Sequence, residues 1–339
     1  MATRDFFNPA DNIKSKTEFS IVSICNPLMD FIAAGDESFF EHYRVQKGSM
    51  NLIDEDTRNK LLAEPKQWRR LPGGSAANTL RGFCLLNRNH KLARPIFWGA
   101  VGTDAQGEEY SHLLRVAGIE ACLLPKRATT GTSFVIFTPD QERTMFTYLG
   151  ACQLIEKDEV DLSCVPRCQL LHLTGYLWDV TAQKDLALTA ADEAKRSGVA
   201  ISFDLADPLV VSRHRRDFLA FIKEYATILF GNREELAILY GEKVDQEIIK
   251  MAATHFSGYL LLKIGREGCW LAKEGQAWLA QAFKTQALDS CGAGDAFAAG
   301  FLFSYLAGQD LASCVVTGNR LAAKIVEVLG CDYEAIQWP

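Results

Sequence analysis

The chain has 339 residues, 48% of them hydrophobic and 23% charged, which excludes a disordered tail, a collagen-like chain and a low-complexity chain. Its 36 Lys and Arg against 42 Asp and Glu give a formal charge of −6. A mildly acidic chain is a poor fit to sequence-independent nucleic-acid binding, but backbone donors can still hold a small anion. Ten cysteines are present, with no C-x-x-C pair and only six histidines. They read as small buried hydrophobes in a reducing compartment, not as disulfides or a zinc site. Met1 to Thr17 lack the pattern of a signal peptide, and no window reaches 18 uninterrupted apolar residues. A cytoplasmic protein without membrane or nucleic-acid partners is expected.

Short apolar runs alternate with amphipathic stretches. Strands are expected at Phe19–Cys25, Pro95–Val101, Gln169–Leu173, Val199–Leu205, Ala226–Phe230 and Tyr259–Ile264. Helices are expected at Asp104–Ala117, Thr181–Ser197, Pro208–Tyr225, and from an Asn232 cap through Tyr240. This rhythm, with strands apolar on both faces, predicts a parallel sheet between helix layers. Two regions break it. Met29–Ala34 and Lys47–Ile53 read as short strands around a polar stretch. Thr132–Thr138 and Arg143–Leu149 flank Pro139-Asp140-Gln141-Glu142, a hairpin signature. Strands without helices between them predict a small inserted sheet, a lid beside the binding edge. The expected division is a large α/β body at 18–26, 54–118 and 150–339, and a lid at 27–53 and 119–149. Near the C-terminus, Ala293–Ala307 and Leu311–Leu329 read as helices stopped by Gly308 and Gly330.

The strongest motif is Asp289-Ser290-Cys291-Gly292-Ala293-Gly294-Asp295 at the start of a long helix. Its glycines permit close backbone approach, and the free first-turn N–H groups make an anion cradle. Asp295, in the same turn, is expected to be held as a carboxylate and so to be available as a proton acceptor. A cradle and a base together suit phosphoryl transfer to an alcohol. A favourable first-turn charge on a core helix fits the motif equally well. Pro72-Gly73-Gly74-Ser75-Ala76-Ala77-Asn78 also precedes a helix, either as a ligand-facing turn or as a tight turn with Ser75 as N-cap. Asp30 follows the first strand and can accept two hydrogen bonds from a vicinal diol, or be a turn aspartate. Asn232 and Glu235 are three apart where strand meets helix; they can form a capping box or hold magnesium through waters. Arg143, on the proposed hairpin, is a candidate phosphate clamp. Cys291, beside the cradle, is expected to make the protein thiol-sensitive. No G-x-x-x-x-G-K-[ST] tract and no G-x-G-x-x-G after a strand occurs.

Taken together these tracts resemble the ribokinase/PfkB family of small-molecule kinases. They fall in family order: N-P-L-M-D at 26–30, G-G-S-A-A-N at 73–78, E-R-T at 142–144, N-R-E-E at 232–235 and D-S-C-G-A-G-D at 289–295. The resemblance spans roughly residues 18–331. It implies a ribokinase-like three-layer α/β/α sandwich with a β-sheet lid, and ATP and Mg2+ as co-substrate and metal. It implies Asp295 as catalytic base, amides of Gly292, Ala293 and Gly294 as the anion hole, and Arg143 as an aid to transfer. Asn232 and Glu235, with Gly265 and Asn319, would serve the nucleotide, and a monovalent cation could lie near Asp289. D-E-S-F-F-E-H-Y at 36–43, T-G-T at 130–132 and L-F-G-N-R-E-E at 229–235 are similar to the adenosine-kinase branch. In that branch Asp30, Gly73, Gly74 and Asn78 would hold ribose hydroxyls. Leu177 stands where the branch places a base-stacking phenylalanine, so Tyr176 or Trp178 would substitute. The expected activity is phosphorylation of the 5′-hydroxyl of a purine nucleoside, adenosine foremost, by a monomer or homodimer. A sugar kinase acting on ribose, fructose or a keto-deoxy sugar acid is the alternative. A non-catalytic binding module is the third.

Overall fold

The structure, a computed structural model, describes residues 17–43, 45, 47–48, 50–138 and 143–338. The expected turn Pro139–Glu142, with Glu142 of the E-R-T tract, lies outside the described residues, as does nearly all of the Met1–Thr17 segment. The chain begins β1 (Phe19–Ile24), β2 (Leu28–Ala34), α1 (Glu37–Tyr43), β3 (Met50–Leu52), α2 (Glu55–Ala63), β4 (Arg69–Gly73) and α3 (Ser75–Asn87). It continues β5 (Ile96–Gly102), α4 (Ala105–Val116), β6 (Glu120–Lys126), β7 (Gly131–Phe137), β8 (Arg143–Tyr148), β9 (Cys168–Thr174) and α5 (Thr181–Arg196). Then come β10 (Ala200–Asp204), α6 (Pro208–Tyr225), β11 (Ile228–Asn232), α7 (Arg233–Tyr240), α8 (Asp245–His255) and β12 (Tyr259–Lys263). The chain closes with β13 (Cys269–Lys273), β14 (Gln276–Ala280), α9 (Ala293–Leu306) and α10 (Leu311–Ile325).

Nine strands form the larger sheet in the order β14-β13-β12-β11-β10-β9-β1-β5-β6. Every pair from β12 to β6 is parallel, and β13 and β14 add an antiparallel edge. Side chains alternate between two cores. Ile21, Phe230 and Leu261 join the core that holds α3, α9 and α10; Val22, Leu229 and Leu262 join the one that holds α5 to α8. Both faces are therefore buried, as a parallel sheet between helix layers requires. Among the described residues no helix is long and apolar enough to cross a membrane.

The smaller sheet has the order β3-β8-β7-β2-β4. Its register aligns Asp30, Ser133, Thr147 and Leu52 across four strands on one face. Phe31, Phe134 and Phe146 form the next row, on the opposite face. That outer row is covered by α1, where Phe39 meets Phe146 edge to face at 5.7 Å. A sheet apolar on its outer side needs such a cover, so the stretch after β2, expected to be merely polar, contains a helix.

Two strands depart from the expected division. β4 pairs with β2 in the smaller sheet, although 54–118 was assigned to the large body. β6 pairs with β5 in the larger sheet, although 119–149 was assigned to the lid. Both are edge strands carrying a proline, Pro72 and Pro125, which weakens the local strand signal. α10 also ends at Ile325 rather than at Leu329. The Val326 carbonyl accepts from Leu288 and Asp289 N–H (2.7 and 3.2 Å), and this tie docks the irregular segment leading to α9.

Candidate active site

A cavity of about 1010 Å³ opens at the carboxyl ends of the parallel strands, where open α/β sheets place their ligands. Its floor carries Asn26 after β1, Tyr176 after β9, and the terminal residues of β10, β11 and β12: Asp204, Asn232 and Lys263. Its roof is the inner face of the small sheet, including Asp30, Ser133, Thr147, Met145 and Leu52. Two helix N-termini, those of α3 and α9, meet and complete the floor.

At α9, Gly292 is the N-cap with φ +69°, a left-handed conformation that glycine accepts without strain. A Cβ there would also overlap the Cys331 Sγ. Asp289 builds the turn before it: its carboxylate accepts from Cys291 N–H and from Gly330 N–H, both at 2.7 Å. Both oxygens of Asp289 are thus given to backbone, and its side chain does not line the cavity. Gly292, Ala293 and Gly294 all face the cavity. The Ala293 N–H turns back to the Ser290 carbonyl at 3.3 Å, so the expected three-amide cradle is led by its two glycines.

Asp295 lies one residue further on. Its Oδ1 accepts from Ser75 Oγ at 2.7 Å and its Oδ2 from Asn78 Nδ2 at 3.1 Å. The second glycine motif therefore docks directly onto the first. Gly74, φ +91°, is the N-cap of α3, so Ser75 is the first helical residue and not the cap. Burial pushes the Asp295 carboxyl up to about 6, against the bonds from Ser75 and Asn78. The first-turn position does not keep it at an ordinary carboxylate value, because desolvation outweighs those donors. A carboxylate poised near 6 is well matched to a general base at neutral pH.

Asp30 is 7% exposed, lines the cavity and has no hydrogen-bond partner among the described residues. Burial raises its carboxyl well above the usual range, with Arg81 and Arg143 pulling the other way. A Cβ on Gly73 would lie 2.1 Å from Asp30 Oδ1, so this glycine clears the space the carboxylate occupies. Gly73 does not itself line the cavity; Gly74 does. A buried carboxylate open only to a cavity calls for donors from a ligand.

Arg143 begins β8 on the roof and lines the cavity together with Cys291. Burial opposes its charge, but Cys291, Asp289 and Tyr176 outweigh that and hold it charged. The neighbouring Cys331, whose Sγ donates to the Cys291 carbonyl at 3.6 Å, lowers the Cys291 thiol, with burial opposing and Arg143 assisting.

Asn232 and Glu235 form a capping box: Glu235 N–H donates to Asn232 Oδ1 at 2.8 Å, and Asn232 N–H to Glu235 Oε2 at 2.8 Å. The structural reading of this tract is thus realised, while both residues also line the cavity. Burial pushes the Glu235 carboxyl up to about 7. Its oxygens keep lone pairs beyond those given to Asn232, which fits a metal held through waters. Among the described residues no three His, Cys, Asp or Glu side chains form a metal cage. Gly265 lines the cavity at φ +61°. Asn319 lines it too, but its amide N–H groups hold the carbonyls of Ala280 and Gln281 at 3.2 Å each, so it shapes a wall. That wall, with Ala282, Phe283, Ala322 and Val326, is an apolar slot between α10 and the segment after β14.

Tyr176 faces the cavity, whereas Trp178 does not. Trp178 is 3% exposed and packs edge-on against Phe203, Phe218 and Phe221 at 5.0–5.3 Å. Leu177 is fully buried. The tight turn Gly175–Asp179 sends alternate aromatics in opposite directions, which excludes Trp178 as a base-stacking residue. Sequence reasoning missed Asp204 and Lys263, a buried ion pair at 2.9 Å on the cavity floor. The signal was a charged residue at the carboxyl end of each of two parallel strands.

The chain was compared with known proteins. Residues 45–338 match the pfkB family carbohydrate kinases. A nucleoside kinase from Methanothermobacter thermautotrophicus is 29% identical over 278 residues, covering 81% of this chain and 84% of the relative. An adenosine kinase from Sinorhizobium meliloti is similar in structure at TM-score 0.86 and 32% identity, over 93% of this chain and 95% of that one. A probable sugar kinase from Rhizobium etli CFN 42 superposes at TM-score 0.88 and 29% identity, over the same shares. With motifs, fold and relatives in agreement, this chain belongs to the pfkB family of carbohydrate kinases and is a small-molecule kinase.

Proposed function

We propose that the protein transfers the γ-phosphoryl group of ATP to the 5′-hydroxyl of a purine nucleoside, adenosine foremost. The observation that carries this reading is the pair of apolar walls in one cavity. Leu28, Met50, Leu52, Met145 and Leu149 line the roof, and Ala282, Phe283, Ala322 and Val326 line the slot against α10. A nucleotide donor needs one apolar slot for its base. A sugar acceptor has no use for the second, while a nucleoside does. The nucleoside kinase and adenosine kinase among its relatives support the same reading.

In this reading the ribose diol donates to Asp30, with Asn78 and the Gly74 backbone at the sugar's edge. The base lies against Met145 and Leu52 beside Tyr176. Asp295 takes the proton of the 5′-hydroxyl as that oxygen bonds to phosphorus and the bond from phosphorus to the ADP oxygen breaks. To reach that hydroxyl, Asp295 exchanges its bond to Asn78 or Ser75 for one to substrate. The Gly292 and Gly294 amides and Arg143 meet charge on the phosphoryl oxygens. Magnesium, held through water by Glu235, would neutralise phosphate charge when it arrives with ATP.

ADP release measured over a panel of nucleosides, ribose, fructose and keto-deoxy sugar acids tests the reading. The expected result is highest kcat/KM with adenosine. Higher kcat/KM with a sugar would transfer the reading to the sugar kinases among its relatives.

A further inference from the structure

Lys263 ends β12 with its side chain only 15% exposed. Its recorded hydrogen bond goes to Asp204 Oδ2, at 2.9 Å. An ammonium has three donors, so two of them meet no acceptor among the described residues, on a side chain that lines the cavity. Its position is specific. A Cβ built on Gly294 would lie 3.1 Å from Lys263 Nζ, which puts the ammonium over the first turn of α9, where an anion would rest. Burial works against its charge, but Asp204 and Glu235 outweigh this and hold it above the usual lysine value. Around it stand Asp204, Glu235 and Asp295, three buried carboxylates that would repel a polyphosphate. Lys263 is the cation set among them. Arg143 lines the same cavity from the roof, where Cys291 and Asp289 beside this turn favour its charge. The turn is thus flanked by one cation from each side of the cavity.

We infer that Lys263 is a catalytic residue that contacts the phosphoryl group in transit, held on Asp204 until the nucleotide arrives. Asp204 keeps the ammonium charged and aimed, and the two unused donors are the ones the phosphoryl oxygens would take. The inference rests on the family's kinase activity and not on which acceptor is used.

A binding experiment without acceptor tests it. Calorimetry would compare magnesium AMPPNP, a non-hydrolysable triphosphate, with magnesium ADP. Lys263→Met alone leaves Asp204 buried and unpaired, so the informative protein is Lys263→Met with Asp204→Asn, which removes both charges together. The double variant is expected to bind AMPPNP at least about tenfold more weakly, with ADP affinity within about twofold of the unmodified protein. Asp204→Asn alone, which keeps an oxygen to accept from the ammonium, should weaken AMPPNP less than the double variant does. Equal weakening of ADP and AMPPNP, or unchanged AMPPNP affinity in the double variant, would overturn the assignment. Because no acceptor is present, a wrong acceptor assignment leaves this outcome unaffected.

Discussion

The roof and the floor of the cavity are built on different principles. The floor is a set of fixed ends: strand termini and two helix N-termini, locked by buried bonds such as Ser75 to Asp295, Asp204 to Lys263 and Asn232 to Glu235. The roof is a small five-stranded sheet that meets the cavity with a register row of alternating chemistry, Asp30, Ser133, Thr147 and Leu52. Asp295, Asp204, Asn232 and Glu235 are hydrogen-bonded within the protein before any ligand arrives; among the described residues Asp30 on the roof has no such partner. The reaction and the choice of acceptor reside in different halves of the cavity. The transfer machinery is preorganised on the floor, and recognition waits on the roof.

Variants separate the two halves, and the largest effect belongs to the floor. Asp295→Asn should lower kcat about 10²- to 10⁴-fold while the acceptor KM changes little, since it removes the proton acceptor and leaves the roof intact. In the unmodified protein, kcat/KM should fall as pH drops through about 6. The sign follows from the chemistry: Asp295 works ionised, burial has raised its value from 3.8, and so acid protonates it earlier than a free aspartate. A limb near 4 would mean that the base is solvated or is another group. Asp30→Asn comes next and should reverse the pattern, raising the acceptor KM about tenfold to a hundredfold with a smaller change in kcat. The smallest effect is expected from Met145→Thr. It should cost nucleosides a few-fold in kcat/KM and leave any sugar turnover unchanged, because it removes apolar contact and no hydrogen bond. An equal loss for both acceptor classes would place Met145 in the fold of the roof and not in recognition.

The floor was also the more legible half. Asp289 to Asp295 and Gly73 to Asn78 announce themselves because two helix starts with glycines need particular residues at fixed spacing. Neither tract, however, reveals that Ser75 and Asn78 end up on Asp295, since that contact joins residues more than 200 positions apart. Lys263 and Asp204 were invisible for the same reason: each is an ordinary charge at a strand end until the sheet order places the strands near one another. The proline strands β4 and β6 were assigned to the wrong sheets because long-range pairing, not local propensity, decides which sheet an edge strand joins. Two adjacent phenylalanines, Phe39 and Phe40, hid α1 inside a stretch that otherwise reads as polar. Trp178 was misjudged because the 3₁₀ turn was not foreseen; with three residues per turn, Tyr176 and Trp178, two apart, leave it in different directions.

The most direct measurement is a crystal structure of the protein with adenosine and magnesium AMPPNP bound together. The 5′-hydroxyl is expected within about 2.6–3.2 Å of Asp295, the ribose diol on Asp30 and the base against the apolar roof. Adenosine bound with its hydroxyl away from Asp295, or with its base in the slot against α10 alone, would contradict this expectation.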